Sequence, residues 1–167
     1  MKQINKIDYM VGAFLSYLTS RNIAPVLIEA TDNAKIVKFS TNNNDYRVYF
    51  KYSISSKTPT VKGREYTKWN ITYTPDDLKR IKESKQNEHE VVLLMVLCGN
   101  EDLTDTELLI LDYEGLEKCL GTDTINCNKR LSVNRMKKSP YITCYGTGLS
   151  DQNSIKVYRN FEKYIKF

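Results

Sequence analysis

Eight consecutive apolar residues, from Val91 to Cys98, constrain the fold of this chain more than any other feature. A strand with one wet face alternates apolar and polar residues, whereas a strand covered on both faces has no such alternation. Gly99 and Asn100 end the run at strand length, well short of the roughly 18 apolar residues that cross a membrane. The run therefore predicts a central strand with a layer of structure on each side.

The residues before this run predict a helix, four strands and a second helix, in that order. Apolar residues at helical spacing predict the first helix from Gln3 to Ser20. Thr74 and Pro75 have the pattern of a helix start, and the second helix extends to about Lys85. Between the helices, β-branched and aromatic residues bounded by turn formers predict strands that start at Val26 and cover Ala34 to Ser40, Tyr46 to Ile54 and Glu65 to Tyr73.

The residues after the run predict a shorter strand, a helix, a hairpin and a last helix. They cover Leu108 to Leu111, Asp112 to Leu120, Leu131 to Tyr145 and Ser154 to Phe167. No linker interrupts the 167 residues, so one domain spanning residues 1–167 is expected. The fold class is α+β (mixed α/β), with a single central, mainly antiparallel sheet flanked by helices.

The third predicted strand, Tyr46 to Ile54, has two different faces. Tyr46, Val48 and Phe50 alternate with Arg47, Tyr49 and Lys51. The first set predicts a core face, and the second predicts a wet, cationic face.

Charge is distributed unevenly along the chain, which carries a net charge of +5. Residues 101–123 hold one basic and eight acidic side chains, whereas residues 129–167 hold nine basic and two acidic ones. Cations neutralise phosphates and exposed rings stack on bases, so a basic, aromatic face favours nucleic-acid binding. An ordinary solvated face is the alternative interpretation. The candidate residues are Arg47, Tyr49, Lys51, Lys129, Arg130, Arg135, Lys137, Lys138 and Arg159.

The acidic segment after the central strand is a second candidate surface. Glu101, Asp102, Asp105 and Glu107 crowd one predicted loop, without the glycine turn and the full spacing of a Ca²⁺ loop. The segment predicts either a solvated loop or a docking surface for a basic partner.

The order of elements from Gln3 to Cys98 resembles the core of the PD-(D/E)XK nuclease-like superfamily. The resemblance implies carboxylates that hold Mg²⁺ and a lysine that activates water. The strand that would carry the family's Glu-x-Lys reads Tyr49-Phe50-Lys51, with tyrosine in place of the acid. Pro75-Asp76 and Glu83-Ser84-Lys85 match the motif letters, but they lie within one predicted helix. The resemblance therefore implies a degenerate or rearranged site, and no catalytic residue is transferred.

These observations favour a non-catalytic binding module that engages nucleic acid or a protein that handles it, without a cofactor. Small size and both charge signs would also suit an inhibitor protein from a mobile element. The alternative function is a Mg²⁺-dependent nuclease, with acids drawn from Asp32, Asp45 or Glu65 near Lys51 or Lys68. Four cysteines and no export signal predict free thiols in a cytoplasmic protein.

Overall fold

The computed structural model describes residues 4–30, 34–61, 63–102, 104–121 and 123–167. The helices are α1 (Lys6–Ser20), α2 (Pro75–Lys85) and α3 (Tyr113–Leu120), and 3-10 turns cover Asp151–Asn153 and Phe161–Lys163. The strands are β1 (Val26–Ala30), β2 (Lys35–Ser40), β3 (Asp45–Ser53), β4 (Ser56–Lys57), β5 (Thr60–Val61), β6 (Arg64–Tyr73), β7 (Glu90–Cys98), β8 (Glu107–Asp112), β9 (Lys129–Met136), β10 (Tyr141–Gly146) and β11 (Ile155–Tyr158). The α+β class is confirmed, because helices and strands are mixed along the chain.

The strands form two mainly antiparallel sheets, so the prediction of a single central, mainly antiparallel sheet is confirmed only in part. Sheet A has the order β1-β2-β3-β7-β8, and sheet B has the order β11-β10-β9-β6-β4, with β5 paired to β6. Within the described residues, only β3 and β7 pair in parallel; the other pairs are antiparallel. The second sheet arises because β6 does not pair with β3. Instead β6 pairs with β9 from Tyr66 to Tyr73, and β3 pairs with β7.

Each face of sheet A packs against a different layer. Helix α1 covers one face and buries Ile7, Val11, Phe14 and Leu18 against residues such as Phe50. The other face packs against sheet B, and this core contains Trp69, Ile71, Tyr73, Leu131, Val133, Ile142 and Cys144. Helices α2 and α3 add apolar side chains to this core between the sheets. Sheet A is therefore the middle layer of the molecule.

Strand β7 confirms the prediction made from the unbroken apolar run. Leu93 and Met95 belong to the core beneath α1, while Leu94 and Val96 belong to the core between the sheets. Both sets are buried, since each face of the strand is covered.

Strand β3 contradicts the prediction of a wet face. Tyr46, Val48 and Phe50 are buried against α1 as expected, but Tyr49 and Lys51 are also buried, with 3% and 5% exposure. The reason is sheet B, which covers the side of β3 that the alternation assigned to water. A strand with one polar-looking face can therefore still lie inside the molecule when the polar groups find partners.

The chain after Ser154 forms a strand instead of the predicted last helix. Ile155 to Tyr158 pair with β10, where Val157 faces Ile142. The spacing of three among the apolar residues suggested a helix, but the alternation of Ile155 and Val157 fits an edge strand on β10. The segment then returns to sheet A, where the Lys166 backbone N–H donates to the Tyr46 hydroxyl at 2.9 Å.

The predictions for the other helices and for the cysteines are confirmed. Thr74 caps α2 through its hydroxyl oxygen, which accepts a bond from the Asp77 N–H, and Pro75 occupies the first turn. The four cysteines are free, and Cys98, Cys119 and Cys144 are buried. Among the described residues, no helix is long and apolar enough to cross a membrane.

Candidate nucleic-acid interface

Three residues of the predicted binding set, all on β3, carry charges or hydroxyls that are satisfied inside the protein. The Lys51 ammonium lies 2.5 Å from Asp77 Oδ2 and donates to the Thr72 carbonyl at 2.8 Å. The Tyr49 hydroxyl donates to Asp77 Oδ1 at 2.5 Å. Arg47, whose side chain is 21% exposed, donates to Glu90 at 2.7 Å. None of the three presents an unpaired charge to a ligand.

The ionisation of Asp77 follows from this network. Burial raises the pKa of the Asp77 carboxyl, but hydrogen bonds from Lys51 and Tyr49 outweigh it and leave the pKa below its ordinary value. Asp77 therefore stays ionised and balances the buried ammonium of Lys51. The Lys51–Asp77 pair is a structural ion pair in a covered position.

Arg135 and Arg159 are neutralised by acids at the start of β8 and in the segment before it. Arg135 binds Asp105 through two nitrogens at 2.6 and 2.7 Å and Glu107 at 2.9 Å. Arg159 also binds Glu107, through its Nε at 3.0 Å. The bonds from Arg135 lower the pKa of Asp105, and those from Asp105 and Glu107 raise the pKa of Arg135. The predicted separation of basic and acidic zones is therefore wrong here.

The acidic residues of this segment differ in burial and in pairing: Glu107 is buried, whereas the Asp105 side chain is 60% exposed although Arg135 binds it. Glu107 has 7% side-chain exposure and is engaged by two arginines, and Asp105 is held by one of them. Glu101 and Asp102 are exposed. A docking surface for a basic partner requires exposed acids that are not already bound by arginine, and of these four residues Glu101 and Asp102 meet that requirement.

The other predicted cations also differ in accessibility. Lys129 is buried, and its ammonium lies 3.2 Å from the Thr124 hydroxyl. Arg130, Lys137 and Lys138 are exposed, the last two in the turn between β9 and β10. These three remain available to a polyanion.

The acids proposed for a nuclease do not meet at one place within the described ranges. Asp45, Glu65 and Lys51 line three different cavities, of about 380, 230 and 550 Å³ respectively. Lys68 donates to the Tyr145 hydroxyl. Asp32 lies outside the described residues. The described part of the chain holds no group of three or more His, Cys, Asp or Glu side chains that could bind a metal ion.

A surface that the sequence analysis did not single out as a unit is the outer face of sheet B. Strand pairing shows which residues share this face, because directly opposed residues point the same way. Lys68 opposes Asn134, which opposes Thr143, which opposes Lys156. We call the face the outer surface; its strand residues are Lys57, Tyr66, Lys68, Asn70, Thr72, Arg130, Ser132, Asn134, Met136, Tyr141, Thr143, Tyr145, Lys156 and Tyr158.

The outer surface combines cations with tyrosine rings. The Lys68 ammonium lies 5.1 Å from the centre of the Tyr145 ring and 2.5 Å from its hydroxyl. The Lys156 ammonium lies 4.9 Å from the Tyr141 ring centre. Beside the strands, Lys163 lies over Tyr158, whose side chain is half exposed. Each contact holds a cation against the negative face of a ring.

None of the strand residues named in the outer surface is acidic. Carboxylates lie at its borders: Glu65 and Asp105 line a cavity next to Tyr66, and Asp112 and Glu114 line one next to Lys156. The positive charge of this face is therefore left unbalanced within its centre. This separates it from β3, where every cation has an acidic neighbour.

Part of this surface could have been found from the sequence. In β6, Lys68, Asn70 and Thr72 alternate with the apolar residues Trp69, Ile71 and Tyr73, which is the pattern of a strand with one wet face. The pairing of β6 with β9 is not evident from local patterns, because it joins segments that are far apart in sequence. The pairing of β11 with β10 is not evident either, because the apolar spacing after Ser154 predicts a helix. Without that pairing, Lys68 and Tyr145 could not be placed side by side.

Comparison of the chain with protein-family models, with curated proteins and with solved structures finds no match in any of the three.

Proposed function

We propose that the protein is a non-catalytic module that binds nucleic acid through the outer surface of sheet B. The observation that carries the proposal is the composition of this face: four basic and four tyrosine side chains on adjacent strands, with no carboxylate among them. The basic residues are Lys57, Lys68, Arg130 and Lys156, and the tyrosines are Tyr66, Tyr141, Tyr145 and Tyr158.

Phosphates supply the binding energy in this proposal. A cation that neutralises a phosphate releases a condensed counterion, so affinity falls as salt rises. The exposed Lys137 and Lys138 extend the positive surface beyond one end of β9. The arginines bound to Glu107 do not contribute, because their charge is already compensated.

The test is a salt titration of binding to nucleic acid, between about 50 and 200 mM. The variant replaces Lys68, Arg130 and Lys156 with glutamine. The loss of three phosphate contacts should lower the slope of log affinity against log salt by about 2 for a single strand. Unchanged urea unfolding would show that the variant remains folded.

A matched variant with the same loss of charge controls for net charge. It replaces Lys6, Lys79 and Lys82 with glutamine; all three are exposed on α1 or α2, and none belongs to the outer surface. The proposal expects this control to bind like the wild type. Equal weakening by both variants would contradict a defined surface, and no binding at low salt would contradict the function.

A further inference from the structure

We infer that the ligand of the outer surface is a single-stranded nucleic acid whose bases stack on the tyrosines of β10 and β11. The inference rests on the proposed function and adds the class of nucleic acid. Two observations carry it: the breadth of the sheet face and the pairing of each of three rings with an ammonium group.

The breadth of the face favours a single strand over insertion into the major groove of undeformed B-DNA. Sheet B has five strands in its main order, and strands lie about 4.8 Å apart, so the face is about 19 Å wide. The major groove of B-DNA is about 12 Å wide, and it accepts a helix or a two-stranded ribbon. A sheet of this width does not enter the major groove of undeformed B-DNA, whereas a single strand can lie along the face with its bases against the rings.

The rings are placed where unpaired bases would reach them. Tyr141 on β10 lies directly opposite Tyr158 on β11, and both point outward. Tyr145 follows four residues later on β10, on the same face and about 13 Å along the strand. Tyr158 is exposed, Tyr141 and Tyr145 are half-buried, and rings that recur along a basic face form a stacking platform for successive bases.

The lysines beside these rings can bind the phosphate of a nucleotide. Lys156, Lys68 and Lys163 each place an ammonium group against one of the rings, at 4.9, 5.1 and 3.3 Å from the ring centres. A base that stacks on such a ring displaces the ammonium group from the ring face, and the flexible lysine stem then lets that cation reach the phosphate of the same nucleotide. Base and phosphate of one nucleotide are thus met by one lysine–tyrosine pair.

The experiment measures fluorescence anisotropy of labelled oligothymidylate and oligouridylate of about 16 nucleotides, the upper end of common site sizes. The duplex of oligothymidylate with oligoadenylate is titrated in parallel. Tyr158→Leu should weaken binding of the single strands by roughly 5- to 150-fold, the range for loss of one stacked base. Tyr158→Phe keeps the ring and should bind like the wild type.

The matched control is Tyr9→Leu. Tyr9 is 64% exposed on α1, and Tyr158 is 50% exposed, so both variants remove one accessible ring without opening the core. The control should leave the affinity for single strands unchanged. An equal loss in both variants would overturn the inference.

The outcomes separate the inference from the proposed function. Tight single-strand binding that falls with Tyr158→Leu supports both. Duplex binding that equals or exceeds single-strand binding, and is indifferent to Tyr158→Leu, overturns the inference while the proposed function stands. Binding of neither form at low salt overturns both.

Discussion

Two lysine–tyrosine pairs in this protein have nearly the same local geometry and opposite surroundings. The Lys51 ammonium lies 4.8 Å from the Tyr73 ring centre, and that of Lys68 lies 5.1 Å from the Tyr145 ring centre. The Lys51 side chain is 6% exposed and is paired with Asp77. Lys68 instead lies on the outer surface, among strand residues that include no carboxylate. A lysine beside a ring therefore marks a core network in one place and a candidate binding surface in the other.

The difference comes from what covers each strand. Sheet B lies over the Lys51 side of β3, so the ammonium had to be paired there, because an unpaired buried charge is costly. On the outer face of sheet B, Lys57, Arg130 and Lys156 are exposed, and the cations of this face form no ion pair with a carboxylate of the described residues. Accessibility, rather than residue type, separates the two pairs.

The largest effect is expected from breaking the covered pair. Lys51→Met leaves the Asp77 carboxylate buried without its ammonium, which should lower the free energy of unfolding by about 3–5 kcal/mol. Urea unfolding measures this change. A loss below about 1 kcal/mol would mean that water reaches the pair and that β3 is not covered as described.

A second, smaller loss should follow from Glu107→Gln in β8. The substitution removes the acid that Arg135 and Arg159 share. The expected cost is about 1–3 kcal/mol, since Arg135 keeps Asp105 and the Arg159 side chain is 42% exposed. Urea unfolding again measures it, and Glu101→Gln, in the exposed part of the acidic segment, should change stability little.

Acid should weaken the covered networks before it affects the outer surface. The pKa of Asp77 and that of Glu90 lie below their ordinary values of 3.8 and 4.5, because hydrogen bonds from lysine, tyrosine and arginine outweigh the effect of burial. Their stabilisation is present above those ordinary values and is lost as the pH falls through the lowered pKa values. Urea midpoints should decline over this range.

The control variant for this pH prediction is Asp77→Asn, whose stability to urea is measured over the same pH range. The variant lacks one of the titrating groups, so its stability should approach that of the wild type as the pH falls. A difference that stays constant from neutral pH into the acid range would show that Asp77 does not titrate with a lowered pKa.

The smallest effect on stability is expected for Lys68→Met. Its side chain is half-buried on the outer surface and its loss leaves no carboxylate unpaired, so the change should stay within about 0.5 kcal/mol. Affinity for nucleic acid should nevertheless fall. The reverse pattern, a stability loss comparable to that of Lys51→Met, would remove the contrast between the two pairs.

Local patterns in the sequence predicted most elements of this fold, and long-range pairing accounts for what they missed. The unbroken run of β7 and the cap at Thr74 each depend on neighbouring residues, and both predictions are confirmed. The burial of Lys51 depends on sheet B, whose strands begin after the loop that follows β3. The alternation in β3 could not reveal a layer formed by residues 64–158.

The candidate surface was predicted only in part for the same reason. Arg130, Lys137 and Lys138 were identified from charge, and they are exposed. Tyr141, Tyr145, Lys68 and Lys156 were not grouped with them, because they become neighbours only through the pairing of β6 with β9 and β10 with β11. The apolar spacing after Ser154 predicts a helix, so the sequence alone does not place Tyr158 on a sheet face.

Photo-crosslinking tests the central claim most directly. The protein is irradiated with a single-stranded oligonucleotide that contains 5-iodouridine, and the modified peptides are identified by mass spectrometry. The account predicts adducts on Tyr141, Tyr145 or Tyr158 of the outer surface, reduced by glutamine at Lys68, Arg130 and Lys156. Adducts confined to α1, β1 or the exposed acids Glu101 and Asp102 would contradict it.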